Sequence, residues 1–162
     1  MNKLIPILFI LIGWTLVYAY QHRTQALAQT YQVVSTIDGD TIKVNLNGTI
    51  ETVRLLGVDT PETVDPRKPV QCYGPEASQQ TKELLTGKEV TLEADPSQDD
   101  RDKYGRLLRY VYLGNQNVSL LLITEGYGRE YTYNKPYKYQ KAFREAQDNA
   151  KANKRGLWGS CS

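Results

Sequence analysis

The stretch YQVVSTIDGDTIKVNLNGTIETVRLL, residues 31–56, determines the fold predicted for this chain. Short runs rich in β-branched residues are separated by two glycine turn pairs, Asp38-Gly39 and Asn47-Gly48. Such pairs between strand-like runs are a strong signal of two-residue β-hairpin turns. The stretch therefore predicts three antiparallel strands in a meander, at residues 31–37, 41–46 and 51–56.

Turn and capping signals further along predict two more strands and three helices. Pro75 in a first turn and Gly87 at an end predict a helix between them, and Asn117 is typical of a cap before a helix that stops at Gly126. The remaining predictions are strands at residues 89–93 and 107–113 and a last helix over 138–153. Five strands with helices after the third and fifth fit an α+β fold dominated by β structure, a small closed barrel with about three helices.

The first 28 residues have the organisation of a secretory signal peptide. Lys3 precedes an apolar run over residues 4–20, and the small-x-small sequence that ends at Ala28 fits a cleavage site. An uncleaved membrane anchor through residues 4–20 is the alternative, because the run lies at the short edge of the spanning range. Either arrangement places a single domain of residues 29–162 outside the cytoplasm, whether secreted, periplasmic or tethered.

Charge is divided unevenly along the chain. Residues 29–126 contain 10 basic and 15 acidic side chains, whereas residues 127–162 contain 8 basic and 3 acidic ones. This division suits a protein that holds a cation and lies along a polyanion. The alternative is that the basic side chains between Lys138 and Lys154 form only the solvated face of an amphipathic helix.

Cys72 and Cys161 are the only cysteines in the sequence. Two cysteines are too few for a zinc site, and in an oxidising compartment they predict one disulfide between the middle of the chain and its tail. The alternative is a pair of unbonded, small apolar side chains. We also expect Gly156-Leu157-Trp158 to dock the tail by burying Trp158 against the barrel.

Histidine chemistry is excluded from the predicted domain. His22, the single histidine of the sequence, lies in the expected leader. Ser-His-Asp and Cys-His nucleophile pairs and the HExxH metal helix are therefore ruled out. Hydrolytic chemistry in this domain would need a metal ion, carboxylates and guanidinium groups.

Asp40 and Asp59 are candidate metal ligands. Asp40 precedes the second predicted strand and Asp59 follows the third, and the ends of paired neighbouring strands lie close together. Carboxylates without soft or imidazole donors favour a hard cation, and irregular geometry favours calcium over magnesium. Alternatively, Asp38-Gly39 is only a turn and residues 59–62 only begin a helix, although the prolines that follow argue against that helix.

Six short segments occur in a fixed order along the chain: DGDT at 38–41, RLLGVDTPE at 54–62, YGPEAS at 73–78, DKYGR at 102–106, YTYNKP at 131–136 and GLW at 156–158. Together, from about Tyr31 to Trp158, they resemble the staphylococcal nuclease, or thermonuclease, family. The resemblance implies the five-stranded oligonucleotide-binding barrel, the OB-fold. It does not account for the cysteines, which that family does not require.

The resemblance also implies roles for ten residues. Calcium would be bound by the carboxylates of Asp40 and Asp59 and by the main-chain oxygen of Thr60. Arg54 and Arg106 would bind the phosphate during catalysis, and Glu62 would orient or deprotonate the attacking water. Lys103 and Tyr104 would contact a terminal phosphate. Tyr131 and Tyr133 would pack near a base.

Each of these roles has a structural alternative on the residues alone. The two arginines could form surface salt bridges that matter little. The tyrosines between residues 127 and 139 could be ordinary cover for the barrel. Planar guanidinium groups and exposed aromatic faces instead suit phosphates and bases, respectively.

The function implied by the resemblance is that of an exported, calcium-dependent nuclease. It would cleave DNA and RNA, with single strands preferred, leave 3′-phosphate ends and act as a monomer without a stable protein partner. The alternative is a catalytically silent OB-fold module that binds single-stranded nucleic acid. Silent relatives would be expected to have lost some of the catalytic and metal-binding residues, and this chain keeps all five: Asp40, Arg54, Asp59, Glu62 and Arg106.

Overall fold

A computed structural model describes residues 29–63 and 69–161 of the chain. The leader expected at residues 1–28 lies outside the described residues. The strands are β1 (Tyr31–Thr36), β2 (Thr41–Leu46), β3 (Thr49–Leu55), β4 (Val58–Asp59), β5 (Glu89–Glu93), β6 (Leu107–Leu113), β7 (Gln116–Asn117) and β8 (Arg129–Glu130). The helices are α1 (Gly74–Leu85), α2 (Val118–Thr124), α3 (Gln140–Ala152) and a final single turn, α4 (Leu157–Ser160).

Five strands close into a barrel, as predicted. The antiparallel order is β3-β2-β1-β5-β6, and β3 also pairs with β6 in parallel, with Val53 opposite Leu107. A closed barrel leaves few unpaired strand edges. The short strands β4 and β8 form a separate pair beside it, in which Asp59 lies opposite Arg129.

The barrel interior is filled by alternate residues of the strands. Val33, Ile42, Val44 and Val53 are fully buried, as the period-two alternation of a strand requires. A bulge between Val33 and Ser35 shifts the register of β1 against β2 without turning Val33 out of the core. The larger side chains of α2, α3 and β6 complete a single apolar core that includes Tyr110, Leu122, Ile123 and Phe143.

The two predicted hairpin turns differ in the structure. Asn47 and Gly48 have φ values of 54° and 95°, as expected of a two-residue turn. The prediction for Asp38-Gly39 is wrong, because residues 37–40 all lie between the strands. Gly39 is needed there for space, since a Cβ atom at this position would lie 2.6 Å from Oγ1 of Thr60.

The helices begin and end close to their predicted limits. The Asn117 cap is confirmed, because its side chain accepts a hydrogen bond of 3.0 Å from the amide of Leu120. The last helix starts at Gln140 and not at residue 138. Residues 138 and 139 form a turn before it, and the amide of Lys138 donates to Asp95 Oδ2 at 2.8 Å. Over the part of the chain that the structure describes, no helix is both long and apolar enough to cross a membrane.

The tail is held by a disulfide and by a short apolar contact. Cys72 and Cys161 are bonded, which confirms the predicted pair and joins positions 89 residues apart. Leu157 is 2% exposed and its amide donates to the carbonyl of Gly126 at 2.9 Å. Trp158 is only partly buried, contrary to our expectation: the cations of Arg129 and Lys151 lie over its ring.

Candidate active site

A cleft of about 630 Å³ opens beside the barrel. The ends of strands and the loops that follow them form its walls, which is where binding residues concentrate in many folds. The ten residues to which the family resemblance assigns roles all line this one cleft: Asp40, Arg54, Asp59, Thr60, Glu62, Lys103, Tyr104, Arg106, Tyr131 and Tyr133.

Strand register brings the charged residues of the cleft together. Thr41, the first residue of β2, lies opposite Arg54 near the end of β3, so the preceding Asp40 lies beside that arginine. Arg106 directly precedes β6, whose Leu107 pairs with Val53 of β3. The two arginines, which are distant in sequence, therefore lie at neighbouring strand ends.

Asp40 is the buried carboxylate of the site, with only 6% of the residue exposed. Its Oδ1 forms an ion pair with Arg54 Nε at 3.0 Å and accepts a hydrogen bond from Thr41 Oγ1, also at 3.0 Å. Its Oδ2 accepts from the amide of Thr60 at 2.9 Å and from Thr60 Oγ1 at 3.2 Å. Four donors therefore fix the orientation of this carboxylate.

Arg54 connects the two predicted metal ligands. In addition to Asp40, it binds Asp59, with 3.0 Å between Nη2 and Oδ1. Its Nη1 donates to the carbonyls of Leu55 and Val58 at 2.7 and 2.6 Å. The Arg54 side chain is 12% exposed and Asp40 is buried, so their ion pair is not a surface salt bridge, whereas the Asp59 side chain is half exposed.

Negative charge accumulates on one side of the cleft. Burial, reinforced by the nearby Asp40 carboxylate, raises the pKa of Asp38 to about 6. Burial also raises the pKa of Asp59, against the opposing effect of Arg54 and with a contribution from Asp40. Neighbouring carboxylates that repel each other are stabilised by a cation.

The donor chemistry of this region fits a hard cation. Asp40, Asp59 and the main-chain oxygen of Thr60 offer only oxygen ligands, as calcium prefers. Within residues 29–63 and 69–161, no three Asp, Glu, His or Cys side chains lie close enough to hold a metal ion by themselves. A calcium ion bound here would therefore also need main-chain and water oxygens.

Arg106 is oriented by Asp102, a residue to which the sequence analysis assigned no role. Arg106 Nε lies 2.7 Å from Asp102 Oδ2, and Nη1 lies 3.4 Å from Thr41 Oγ1. Asp102 Oδ1 accepts from the amides of Tyr104 and Arg106, each at 2.9 Å. Burial alone would raise the pKa of Asp102, but these hydrogen bonds hold it below its ordinary value. The four-residue spacing of Asp102 and Arg106 around Gly105 is the signal that could have identified this pair.

Glu62 lies on an irregular segment and not at the start of a helix. Its Oε1 accepts from the amide of Thr63 at 2.9 Å. Its main chain pairs with Gln71, because the Glu62 amide donates to Gln71 Oε1 at 2.9 Å and the Gln71 amide donates to the Glu62 carbonyl at 3.0 Å. The loop placement expected for this residue is therefore confirmed, while Gln71 is a partner that the sequence analysis missed.

The cleft also presents aromatic and cationic groups. Tyr104 is largely exposed, and its ring lies 5.0 Å from Lys103 Nζ and 5.3 Å from Arg106 Cζ. Tyr131 and Tyr133 are 42% and 65% exposed, with ring centroids 6.3 Å apart. They are not cover for the barrel, unlike the buried Tyr137. Lys135 and Arg101 also line the cleft, although the sequence analysis did not single them out.

The fold and the cleft together fit one class of protein, nucleases that hydrolyse phosphodiester bonds. The barrel places two arginines, clustered carboxylates and exposed tyrosines around one cleft, and such groups bind phosphates and bases. Residues 52–160 match the family model described as staphylococcal nuclease homologue. The chain belongs to the staphylococcal nuclease family.

Relatives of known name agree with this membership. The chain is 40% identical over 171 aligned positions to the thermonuclease of Staphylococcus hyicus, covering 99% of this chain and 100% of that protein. It is 44% identical over 135 positions to the thermonuclease of Staphylococcus intermedius, covering 83% of this chain and 79% of that one. It is 49% identical over 123 positions to endonuclease YncB of Bacillus subtilis, with 75% of this chain and 58% of that one aligned.

Proposed function

We propose that this chain is an exported, calcium-dependent endonuclease that hydrolyses DNA and RNA, prefers single strands and leaves 3′-phosphate ends. The observation that carries the proposal is that Arg54, Arg106 and Glu62 share one cleft with the carboxylates of Asp40 and Asp59. The disulfide between Cys72 and Cys161 supports export, because such bonds persist in oxidising compartments. The protein acts as a monomer and needs no stable protein partner.

Calcium is the cofactor that suits this donor set. Asp40, Asp59 and the main-chain oxygen of Thr60 would hold it, since all three donors are hard oxygens. When bound, calcium supplies positive charge that lowers the energy of the phosphoryl group as it accepts the attacking oxygen. Burial is the main cause of the raised pKa of Asp59, and the nearby Asp40 carboxylate adds to it; a bound cation would favour the ionised form of both carboxylates.

The arginines stabilise charge on the phosphoryl oxygens during attack. Arg106 is held at its Nε by Asp102, an arrangement that directs the end of its guanidinium group into the cleft. Arg54 is fixed by carboxylates and carbonyls in the same way. Donors held in advance need little reorganisation when charge develops, which is the main source of stabilisation in such sites.

Glu62 orients the attacking water and accepts its proton. The resulting oxygen nucleophile forms a bond to phosphorus while the bond from phosphorus to the 5′ oxygen breaks. The 5′ oxygen takes a proton from solvent water and leaves as a hydroxyl group, and the phosphate stays on the 3′ side. The hydrogen bonds between Glu62 and Gln71 hold the main chain from which this carboxylate extends.

The choice of substrate follows from the aromatic wall of the cleft. Tyr131 and Tyr133 offer exposed faces on which bases can stack, and every base of DNA or RNA has such a face. Bases in a duplex are already stacked on one another, so single strands are preferred. The basic side chains of Lys103 and Lys135 add attraction to the phosphate backbone.

The test of the proposed function measures cleavage of labelled single-stranded DNA by the purified protein. We expect cleavage with calcium, none with a calcium chelator, and no recovery when magnesium replaces calcium, because magnesium demands strict octahedral geometry. Full activity in magnesium with a calcium chelator present would contradict the metal assignment. Binding without cleavage under all conditions would identify a silent binding module instead.

Replacing Tyr131 and Tyr133 together by alanine is expected to weaken binding of single-stranded DNA. Each base stacked on an aromatic ring contributes about 1 to 3 kcal/mol, so the dissociation constant should rise at least tenfold. The measurement is a fluorescence titration with calcium omitted, to prevent cleavage. The matched control replaces both residues by phenylalanine, which keeps the rings and should keep most of the affinity. Unchanged affinity in the alanine variant would assign the pair no role in binding.

A further inference from the structure

We propose that Gln71 and the Cys72–Cys161 disulfide position Glu62 for catalysis. Gln71 contacts Glu62 directly, and the disulfide fixes the residue that follows Gln71 to the docked tail of the chain. The inference rests on the role of Glu62 in the proposed function. It assigns a positioning task to two elements that otherwise look purely structural.

The first step is the pairing of Glu62 with Gln71 across the base of a loop. The amide of Glu62 donates to Gln71 Oε1 at 2.9 Å, and the amide of Gln71 donates to the carbonyl of Glu62 at 3.0 Å. Two hydrogen bonds between the same two residues fix the distance and the relative orientation of their main chains. The direction in which the Glu62 side chain leaves the backbone therefore depends on where Gln71 lies.

The second step is the close contact between this pair and the start of α1. The amide of Gly74 donates to the carbonyl of Gln71 at 3.0 Å. A Cβ atom on Gly74 would lie 2.7 Å from Thr63 Cγ2 and 3.2 Å from the carbonyl oxygens of Pro61 and Glu62. The segment of Glu62 is thus packed against the backbone of Gly74, with no room for a side chain between them.

The third step is the attachment of this assembly to the tail. Cys72 directly follows Gln71 and is bonded to Cys161, one residue beyond α4. α4 is docked by the buried Leu157 and by Gly156, whose backbone packs directly against that of Gly126. Trp158 of α4 also lies against Arg129 of β8, the strand that pairs with Asp59. The disulfide therefore joins the Glu62 segment to an element already fixed beside the metal-binding strand.

The disulfide adds to these contacts at a position that neither burial nor helix capping supports. Gln71 and Cys72 are exposed, and no side chain caps the start of α1 at Tyr73. Tyr73 itself has a φ of 66°, a conformation that a tyrosine rarely adopts. Without the covalent bond, the main chain of Gln71 gains freedom, and Glu62 gains the same freedom through their hydrogen bonds.

The test compares the wild-type protein with a double variant, Cys72→Ser with Cys161→Ser, and with Gln71→Met. We expect kcat to fall about tenfold to 10²-fold in each, since small displacements of a catalytic group have effects of this size. The Michaelis constant and the calcium dissociation constant should stay within about twofold of wild type, because Glu62 is proposed neither to bind calcium nor to stack on bases. Hydrogen exchange at the amides of Glu62 and Gln71 should become faster in both.

A combined variant tests whether the disulfide acts through Gln71. If it does, adding Gln71→Met to the cysteine variant should lower kcat little further, because the two changes break one chain of contacts. Gln71→Glu keeps an acceptor oxygen and should retain more activity than Gln71→Met. Asn117→Ala removes the cap of α2, a contact outside the cleft, and controls for a general loss of stability. Its kcat should match that of wild type.

Two results would overturn the inference. One is an unchanged kcat in the cysteine variant at a temperature where it is fully folded. The other is unchanged amide protection at Glu62 and Gln71. If the cysteine variant fails to fold, Gln71→Met and Gln71→Glu, which both keep the disulfide, still test whether Gln71 positions Glu62, and an unchanged kcat in Gln71→Met would then overturn the inference. A wild-type protein without nuclease activity would refute the proposed function instead, and the amide exchange would then decide whether the disulfide holds Glu62.

Discussion

Replacing Arg106 by lysine is expected to lower kcat by about 10² to 10³, which corresponds to about 3 to 4 kcal/mol of activation free energy. Lysine keeps the charge but lacks the planar fork, so it cannot hold the Asp102 contact at Nε and still donate to a phosphoryl oxygen. Calcium affinity should change far less than turnover, because Arg106 is not among the proposed ligands. Steady-state kinetics and calorimetric calcium titration of the same sample provide the measurement.

Arg109→Lys is the matched control for this experiment. Arg109 lies on β6 close to Arg106 in sequence and also has a carboxylate partner, with 2.6 Å between Nη2 and Asp100 Oδ1. It is absent from the lining of the cleft, so its replacement should leave kcat unchanged. Turnover near the wild-type value in Arg106→Lys would show that Arg106 has only a structural role.

The Arg54→Lys variant should be comparably slow but also less stable, since it loses the hydrogen bonds to the carbonyls of Leu55 and Val58.

Replacing Asp95 by alanine is expected to lower the free energy of unfolding by about 3 to 5 kcal/mol. Asp95 is 5% exposed, and its Oδ2 accepts from Tyr110 Oη at 2.7 Å and from the amide of Lys138 at 2.8 Å. Its Oδ1 accepts from the amide and the hydroxyl of Ser97 at 2.9 and 2.7 Å. Alanine removes the acceptor of all four hydrogen bonds, and the hydroxyl of the fully buried Tyr110 loses its Asp95 acceptor. Urea denaturation of the two proteins at pH 7 measures the difference.

The Asp95 carboxylate also makes the free energy of unfolding depend on pH. Burial alone would raise the pKa of Asp95, but hydrogen bonds from Lys138, Tyr110 and Ser97 hold it at about 2. Because this pKa is below the unfolded value of about 3.9, the ionised group stabilises the fold above pH 4 and loses that effect as the pH falls to 2. The contribution is about 2 to 3 kcal/mol. Asp95→Asn cannot ionise, so its unfolding free energy should lack this part of the fall, and an identical pH profile would contradict the assignment.

Strand positions were predictable from the sequence because they follow from local rules. β2, β5 and β6 coincide with the predicted residues 41–46, 89–93 and 107–113, where turn residues bound short apolar runs. The turn at Asp38-Gly39 was not predictable, since the glycine there is needed to leave space for Thr60, a residue of another loop. A tertiary contact of this kind leaves no mark in the neighbouring sequence.

The composition of the cleft could be predicted, but not its internal contacts. Recognisable segments identify the residues that line it, whereas the partners of Arg54 depend on strand register and on the turn after β3. Tyr131 and Tyr137 illustrate the same limit. They lie in one tyrosine-rich run, and only the path of the loop after β8 decides that the first is exposed and the second buried.

The parallel pairing of β3 with β6 has a consequence for when the enzyme becomes active during folding. Val53 and Leu107 are roughly 50 residues apart in the chain, and their pairing brings Arg54 and Arg106 to the same cleft. A non-local contact of this kind carries a loop-closure cost and cannot form until both strands have been synthesised and brought together. A polypeptide whose barrel is still open therefore lacks an assembled site, so nuclease activity should appear only when the barrel closes.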